Sequence, residues 1–128
     1  MGYNHITLKN SRNESITINP DAGAGLISYK KLLDGNLEEM IEIPDVDKYE
    51  LKNNPFHPSS FLFPFQNRVR NGNYSFLGKN YQLKINETDL NNAIHGFIDQ
   101  SIFSVKEIRE NSIQLEFNYD GSIQGYPF

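Results

Sequence analysis

Apolar and polar residues alternate with a period of two along most of this chain, the pattern of strands that bury one face. "HITL" (5–8) and "SITINP" (15–20) are two short β-rich runs separated by the polar turn "KNSRNE". "DAGAG" (21–25) interrupts the pattern, because its glycines admit positive φ, and "LISYKKLL" (26–33) resumes it up to an Asp34-Gly35 turn. In "NLEEMIEIP" the Ile41/Ile43 alternation and Pro44 favour a strand over a helical turn. Residues 44–60, with three prolines and many carboxylates and amides, read as a loop. Beyond it the pattern predicts strands near 61–69, 73–77, 80–85, 101–108 and 112–119. Asn71-Gly72 is expected to close a hairpin, "GKN" to form the next turn, and "RENS" to join the last two strands before an Asp120-Gly121 turn. "NETDLNNAIHGF" (86–97) reads as polar and irregular, and no helix of ordinary length is expected. Many short strands at this spacing predict an all-β fold, an antiparallel sandwich or barrel.

Composition narrows the functional classes. The 128 residues fit one domain with a real core. Twelve basic against sixteen acidic side chains give a net charge of −4, which argues against a nucleic-acid groove and against a polybasic membrane anchor. No apolar run reaches the length of a membrane helix, and "MGYNHITLKN" lacks the apolar region of a signal peptide, so a cytoplasmic protein is the default expectation. The chain has no cysteine and therefore no thiolate chemistry. It stops at the apolar "GYPF", where domains usually end in exposed polar segments, and so reads as a chain cut inside its fold. Such an end would leave an unpaired edge and uncovered aromatic side chains, which favours self-association.

Few residues suggest chemistry. Arg68, in "FPFQNRVRNG" (63–72), directly follows an aromatic run. It reads either as a surface arginine or as a rigid fork of donors, its stem covered by apolar neighbours, that orients an oxygen-rich ligand. His95 precedes a glycine in a loop and reads either as a structural histidine or as a group that a ligand approaches closely. His5 and His57 have no ligand-like spacing, so no metal is expected. The acidic stretch from Glu38 to Glu50 reads as a solvated face. No phosphate-binding glycine motif and no nucleophile elbow is present.

Taken together, four segments resemble the aldose 1-epimerase (galactose mutarotase) family. "INPDAGAGLISYKKLLDGN" is similar to that family's early strand. "FPFQNRVRNGNYSFLGKNYQL" is similar to its segment of Asn-Arg followed by regularly placed glycine, aromatic residues and leucine. "NNAIHGF" resembles the asparagine-rich approach to "HG", and "SIQLEFNYDGSIQGYPF" resembles its strand and "GYPG"-like element. Two departures stand out: Phe97 where many members have a second glycine, and Phe128 in place of the glycine of "GYPG". The order and spacing of the pieces, from residue 18 to 128, match the N-terminal part of the family's single domain, so that residues 1–128 would form that part.

The resemblance implies a β-supersandwich with a hexose cleft on one broad sheet. It also implies interconversion of α and β anomers of a free sugar, without cofactor or metal, by proton transfer to the ring oxygen and from the anomeric hydroxyl. Arg68 would bind the sugar, Asn67 would support it, and His95 would orient the ring and anomeric oxygens and share in proton transfer. The family's second histidine and late glutamate, its main acid and base, have no counterpart before Phe128, and Glu87 and Asp89 are the first carboxylates to consider as a substitute. An epimerase of phosphorylated hexoses, using Arg68 and Arg70, a non-catalytic carbohydrate-binding domain, and a structural β-sandwich without ligand are the alternatives.

Overall fold

The computed structural model describes residues 5–41 and 59–128. The expected loop at 44–60 and the Ile43-Pro44 end of the preceding run lie almost wholly outside the described residues, as does His57. Among the described residues the regular structure is all-β, apart from two three-residue 3-10 turns at Thr88–Leu90 and Ile98–Gln100. No described helix is long and apolar enough to cross a membrane. The chain divides into two compact units, 1–61 with 98–117 and 62–97 with 118–128.

The first unit is built on a four-stranded antiparallel sheet in sequence order, β1 (Ile6–Lys9), β2 (Ser15–Asn19), β3 (Gly25–Leu33) and β4 (Asn36–Glu39). Each strand follows its neighbour through a short connection, as the period-two pattern requires. The turn between β1 and β2 is polar because its side chains replace backbone partners: Asn10 Oδ1 accepts from the amides of Arg12 and Glu14, both at 3.0 Å. Asp34 and Gly35 both have positive φ (47° and 83°), the geometry of a two-residue hairpin turn joining Leu33 to its partner Asn36. Leu8, Ile18, Ala22, Ala24 and Ile27 form the buried core, and full burial of the larger aliphatic side chains contributes about 1.5–3 kcal/mol each. Beyond Ser28 the β3–β4 ribbon is exposed on both faces. The same unit contains the expected late hairpin, β9 (Ser104–Ile108) and β10 (Ile113–Glu116), closed by the Arg109 amide donating to Ser112 O at 2.8 Å.

The second unit departs from the expected pattern in three places. Residues 61–69 are not one strand. Only Arg68–Arg70 (β5) forms a strand, Phe63 makes one isolated bridge, and Leu62 and Phe63 are 40 and 47% exposed rather than half-buried on one face. Pro64 has no amide to give to a ladder, and Asn67 sits at φ 63°, which turns the chain immediately before β5. Asn71-Gly72 does form a turn, with Gly72 N donating to Val69 O at 2.9 Å, but it does not close a β5–β6 hairpin. The hairpin is instead β6 (Asn73–Phe76) with β7 (Lys79–Gln82), turning at Leu77-Gly78 (φ 48° and 73°), so that Lys79 and Asn80 belong to a strand. Finally, "NETDLNNAIHGF" is ordered and contains β8 (Asn92–Ile94), the antiparallel partner of β5.

Residues 118–128 pack on this unit without forming a strand. A Cβ on Gly125 would lie 2.1 Å from Gln82 O, so only glycine allows that approach, and Tyr74 donates its hydroxyl to Gly125 O at 2.7 Å. Tyr126 is half-buried, while Phe128 is 48% exposed yet lies 5.0–5.4 Å, ring to ring, from Phe76, Tyr81 and Tyr126. The expected uncovered aromatic end is thus only partly uncovered.

Candidate functional site

Asn67, Arg68 and His95, separated by up to 28 residues in sequence, meet where β5 pairs with β8. The register sets Arg68 opposite Ile94, Val69 opposite Ala93 and Arg70 opposite Asn92. Strand alternation then decides which way each points. Val69 lines an apolar hollow with Pro64, Phe65, Tyr74, Leu83 and Tyr126, whereas Arg68 and Arg70 point to the other face and are exposed. A guanidinium can therefore stand in the middle of an apolar neighbourhood without entering it.

Just before β5 and just after β8 the backbone is locked. The His95 amide donates to Asn67 O at 3.1 Å, and the Asn67 amide donates to His95 Nδ1 at 3.1 Å. Because an amide can only donate, Nδ1 is the ring's acceptor and the imidazole carries its proton on Nε2. Both residues have positive φ, 63° and 64°, a backbone state that asparagine tolerates better than most residues. Asn67 Oδ1 also accepts from the Arg68 amide at 3.0 Å. Asn67 thus ties the backbone entering β5 to the His95 ring and to its own neighbour Arg68.

Gly96 follows with φ 73°, bridged to Phe63. A Cβ there would lie 1.9 Å from Phe63 O, and the next amide, of Phe97, donates to that same oxygen at 2.9 Å. What approaches closely beside the histidine is the chain's own backbone. Phe97 then packs its ring against Phe63, Tyr119 and Tyr126, fixing the segment from behind.

Arg68 is not alone. Its Nε lies 2.8 Å from Glu87 Oε2 and its Nη2 2.7 Å from Glu87 Oε1, a two-pronged ion pair. Glu87 Oε2 also accepts from Asn92 Nδ2 at 2.8 Å, and the Glu87 and Asn92 backbones exchange hydrogen bonds at 3.0 and 3.1 Å. These Arg68 and Asn92 contacts hold the Glu87 carboxyl below the usual glutamate range, and the same pairing raises Arg68 further above its ordinary value. A carboxyl so depressed favours folding above the ordinary glutamate pKa, and that contribution is lost as pH falls through the folded value. With Oε1 held by Arg68 and Oε2 by Arg68 and Asn92, both carboxylate oxygens are already engaged.

Sequence reasoning singled out Arg68 and missed this partner. Nothing local links residues 68 and 87; only the β5–β8 pairing does. Asp89, the other carboxylate considered, lies in the 3-10 turn Thr88–Leu90. Asparagines tie the segment down: Asn86 accepts from the Ile94 amide at 2.7 Å and donates to Ile94 O at 2.8 Å, and Asn91 donates to Asn71 Oδ1 at 2.9 Å. Among the described residues, no group of three or more His, Asp or Glu side chains could hold a metal ion.

Comparison with known proteins extends these observations. A GalM/aldose epimerase homologue from C. elegans shares the fold with a TM-score of 0.79 at 18% identity, over 97% of this chain and 38% of that one. A galactose mutarotase-like protein from Clostridium acetobutylicum matches with a TM-score of 0.62 at 25% identity, over 88% of this chain and 37% of that one. The uncharacterized protein YihR of Escherichia coli is 38% identical over 72 residues, 56% of this chain and 23% of its own length. This chain therefore spans about a quarter to two-fifths of the relatives it matches. The sequence profile of aldose 1-epimerase matches residues 4–128. With an all-β antiparallel architecture and a galactose mutarotase-like fold, the chain belongs to the aldose 1-epimerase family.

Proposed function

We propose that this chain is the sugar-orienting part of an aldose 1-epimerase acting on a free hexose such as glucose or galactose. The observation that carries the reading is the Asn67–Arg68–His95 cluster, in which two segments distant in sequence are locked together by backbone and side-chain hydrogen bonds. In this reading Arg68 donates to sugar hydroxyls, and His95, with its proton on Nε2, donates to the ring or anomeric oxygen. Anomer exchange then needs a proton at the ring oxygen, removal of the anomeric hydroxyl proton, rotation about C1 of the open aldehyde, and reversal of both transfers. The two donors hold the ring in the geometry where those transfers occur. Glu87, engaged with Arg68 and Asn92, is not assigned as the base.

A phosphorylated hexose is the second reading, favoured by Arg68 and Arg70 on one face of β5. Polarimetry separates the two. The complete gene product should accelerate mutarotation of α-glucose or α-galactose well above buffer, and more efficiently than that of the corresponding 6-phosphates. Binding of a hexose without acceleration would instead make this a carbohydrate-binding domain, and faster turnover of the phosphates would establish the second reading.

A further inference from the structure

Glu87 occupies only one edge of the Arg68 guanidinium, the edge made by Nε and Nη2. The end formed by Nη1 and the outer Nη2 hydrogen has no partner among the described residues, and the Arg68 side chain as a whole is 49% exposed, against 12% for Glu87. The carboxylate is fixed in turn by Asn92, on the strand that pairs with β5. The pair is thus a charge-neutral unit with directed donors, held by two strands at once, beside His95 and Asn67.

Resting on the epimerase reading above, we propose that Glu87 is the positioning residue for Arg68 and sets the selectivity of this site for neutral sugar hydroxyls over anionic sugars. A lone guanidinium binds a phosphate more readily than a hydroxyl, because both of its edges can fork onto phosphate oxygens. With Glu87 on the side edge, that fork is occupied, and an anion brought to the end edge meets a carboxylate a few ångströms behind it. A neutral hydroxyl needs only one or two of the remaining donors and meets no such repulsion.

The test is the ratio of two efficiencies in the complete gene product, for a hexose 6-phosphate and for the free hexose. The phosphate is read as kcat/KM where it is turned over and as an inhibition constant where it is not. Glu87→Gln keeps the shape and removes the charge. It should raise the KM for free hexose, leave kcat much less affected, and shift the ratio toward the phosphate by about tenfold. Glu87→Asp keeps the charge and should keep the wild-type discrimination, even where its shorter reach raises KM. If Glu87→Gln melts early, Glu87→Asp still leaves the proposal open to refutation, because a relaxed ratio in it would contradict the role given to the charge. A purely structural role would lower both efficiencies together, and an unchanged ratio in Glu87→Gln, or a relaxed one in Glu87→Asp, overturns the proposal. An Arg68→Ala control separates the two levels. If it lowers free-hexose turnover while Glu87→Gln leaves the ratio alone, the selectivity role alone is wrong. If Arg68→Ala leaves turnover intact, the epimerase reading of the cluster fails with it.

Discussion

Arg68→Ala in the complete gene product is expected to lower kcat/KM for anomer exchange about ten- to hundredfold, the loss of one or two charge-assisted hydrogen bonds to the sugar. The size follows from geometry. The guanidinium is held by Glu87 in one direction and cannot be replaced by a mobile neighbour, since Arg70 lies opposite Asn92, a pair of residues further along the ladder. Arg68→Lys should recover little, because an ammonium keeps the charge but loses the planar fork that both Glu87 and the sugar use. Steady-state polarimetry checks both variants, with thermal melting as a control for the carboxylate left without its partner. Efficiency within twofold of wild type in Arg68→Ala would remove this residue from the site.

Gly96→Ala is the second large effect, and it acts on stability. Alanine at φ 73° costs about 1–2 kcal/mol for the left-handed backbone alone. Its Cβ would also fall 1.9 Å from Phe63 O, a backbone atom that cannot move without releasing the Phe97 amide. The sum is expected to reach at least about 3 kcal/mol, in the upper range for a single substitution. Chemical denaturation should show it as a lower midpoint, or as loss of cooperative unfolding. An unchanged midpoint would mean that residues 63 and 96 do not approach as described.

Much of the fold was legible because strand alternation and local turns leave marks in short windows. Ile6–Leu8, Ile16–Ile18 and the long β3 run show the period directly, and Asp34-Gly35 has the residues that a two-residue hairpin needs. The failures share a different cause. Phe61, Phe63 and Phe65 alternate as a strand would, yet Pro64 and the left-handed Asn67 prevent continuous pairing, and Phe63 contributes one isolated bridge to Gly96. Asn71-Gly72 turns as expected, but which strands a turn brings into a ladder depends on partners elsewhere. The partner, β8, is three residues long and set among asparagines whose side chains do the work of backbone pairing, so no hydrophobic period announces it.

The candidate site divides in the same way. Asn67, Arg68 and His95 could be named because their segments resemble a known family, and the fold brings all three together. Glu87 could not be assigned to Arg68 from the sequence, because the link runs across a ladder and spans 19 residues. The asparagine-rich stretch that reads as a loop is the scaffold that places this carboxylate.

The account turns on His95 and Arg68 facing one sugar, and nitrogen NMR of the histidine rings tests that most directly. In the complete gene product labelled at histidine nitrogen, His95 should show the neutral tautomer with its proton on Nε2, as the hydrogen bond from the Asn67 amide to Nδ1 requires. Addition of free hexose should shift its Nε2 resonance saturably, and Arg68→Ala should weaken that titration about tenfold or more. A proton on Nδ1, or an Nε2 resonance that hexose leaves unmoved while another histidine responds, would contradict the account.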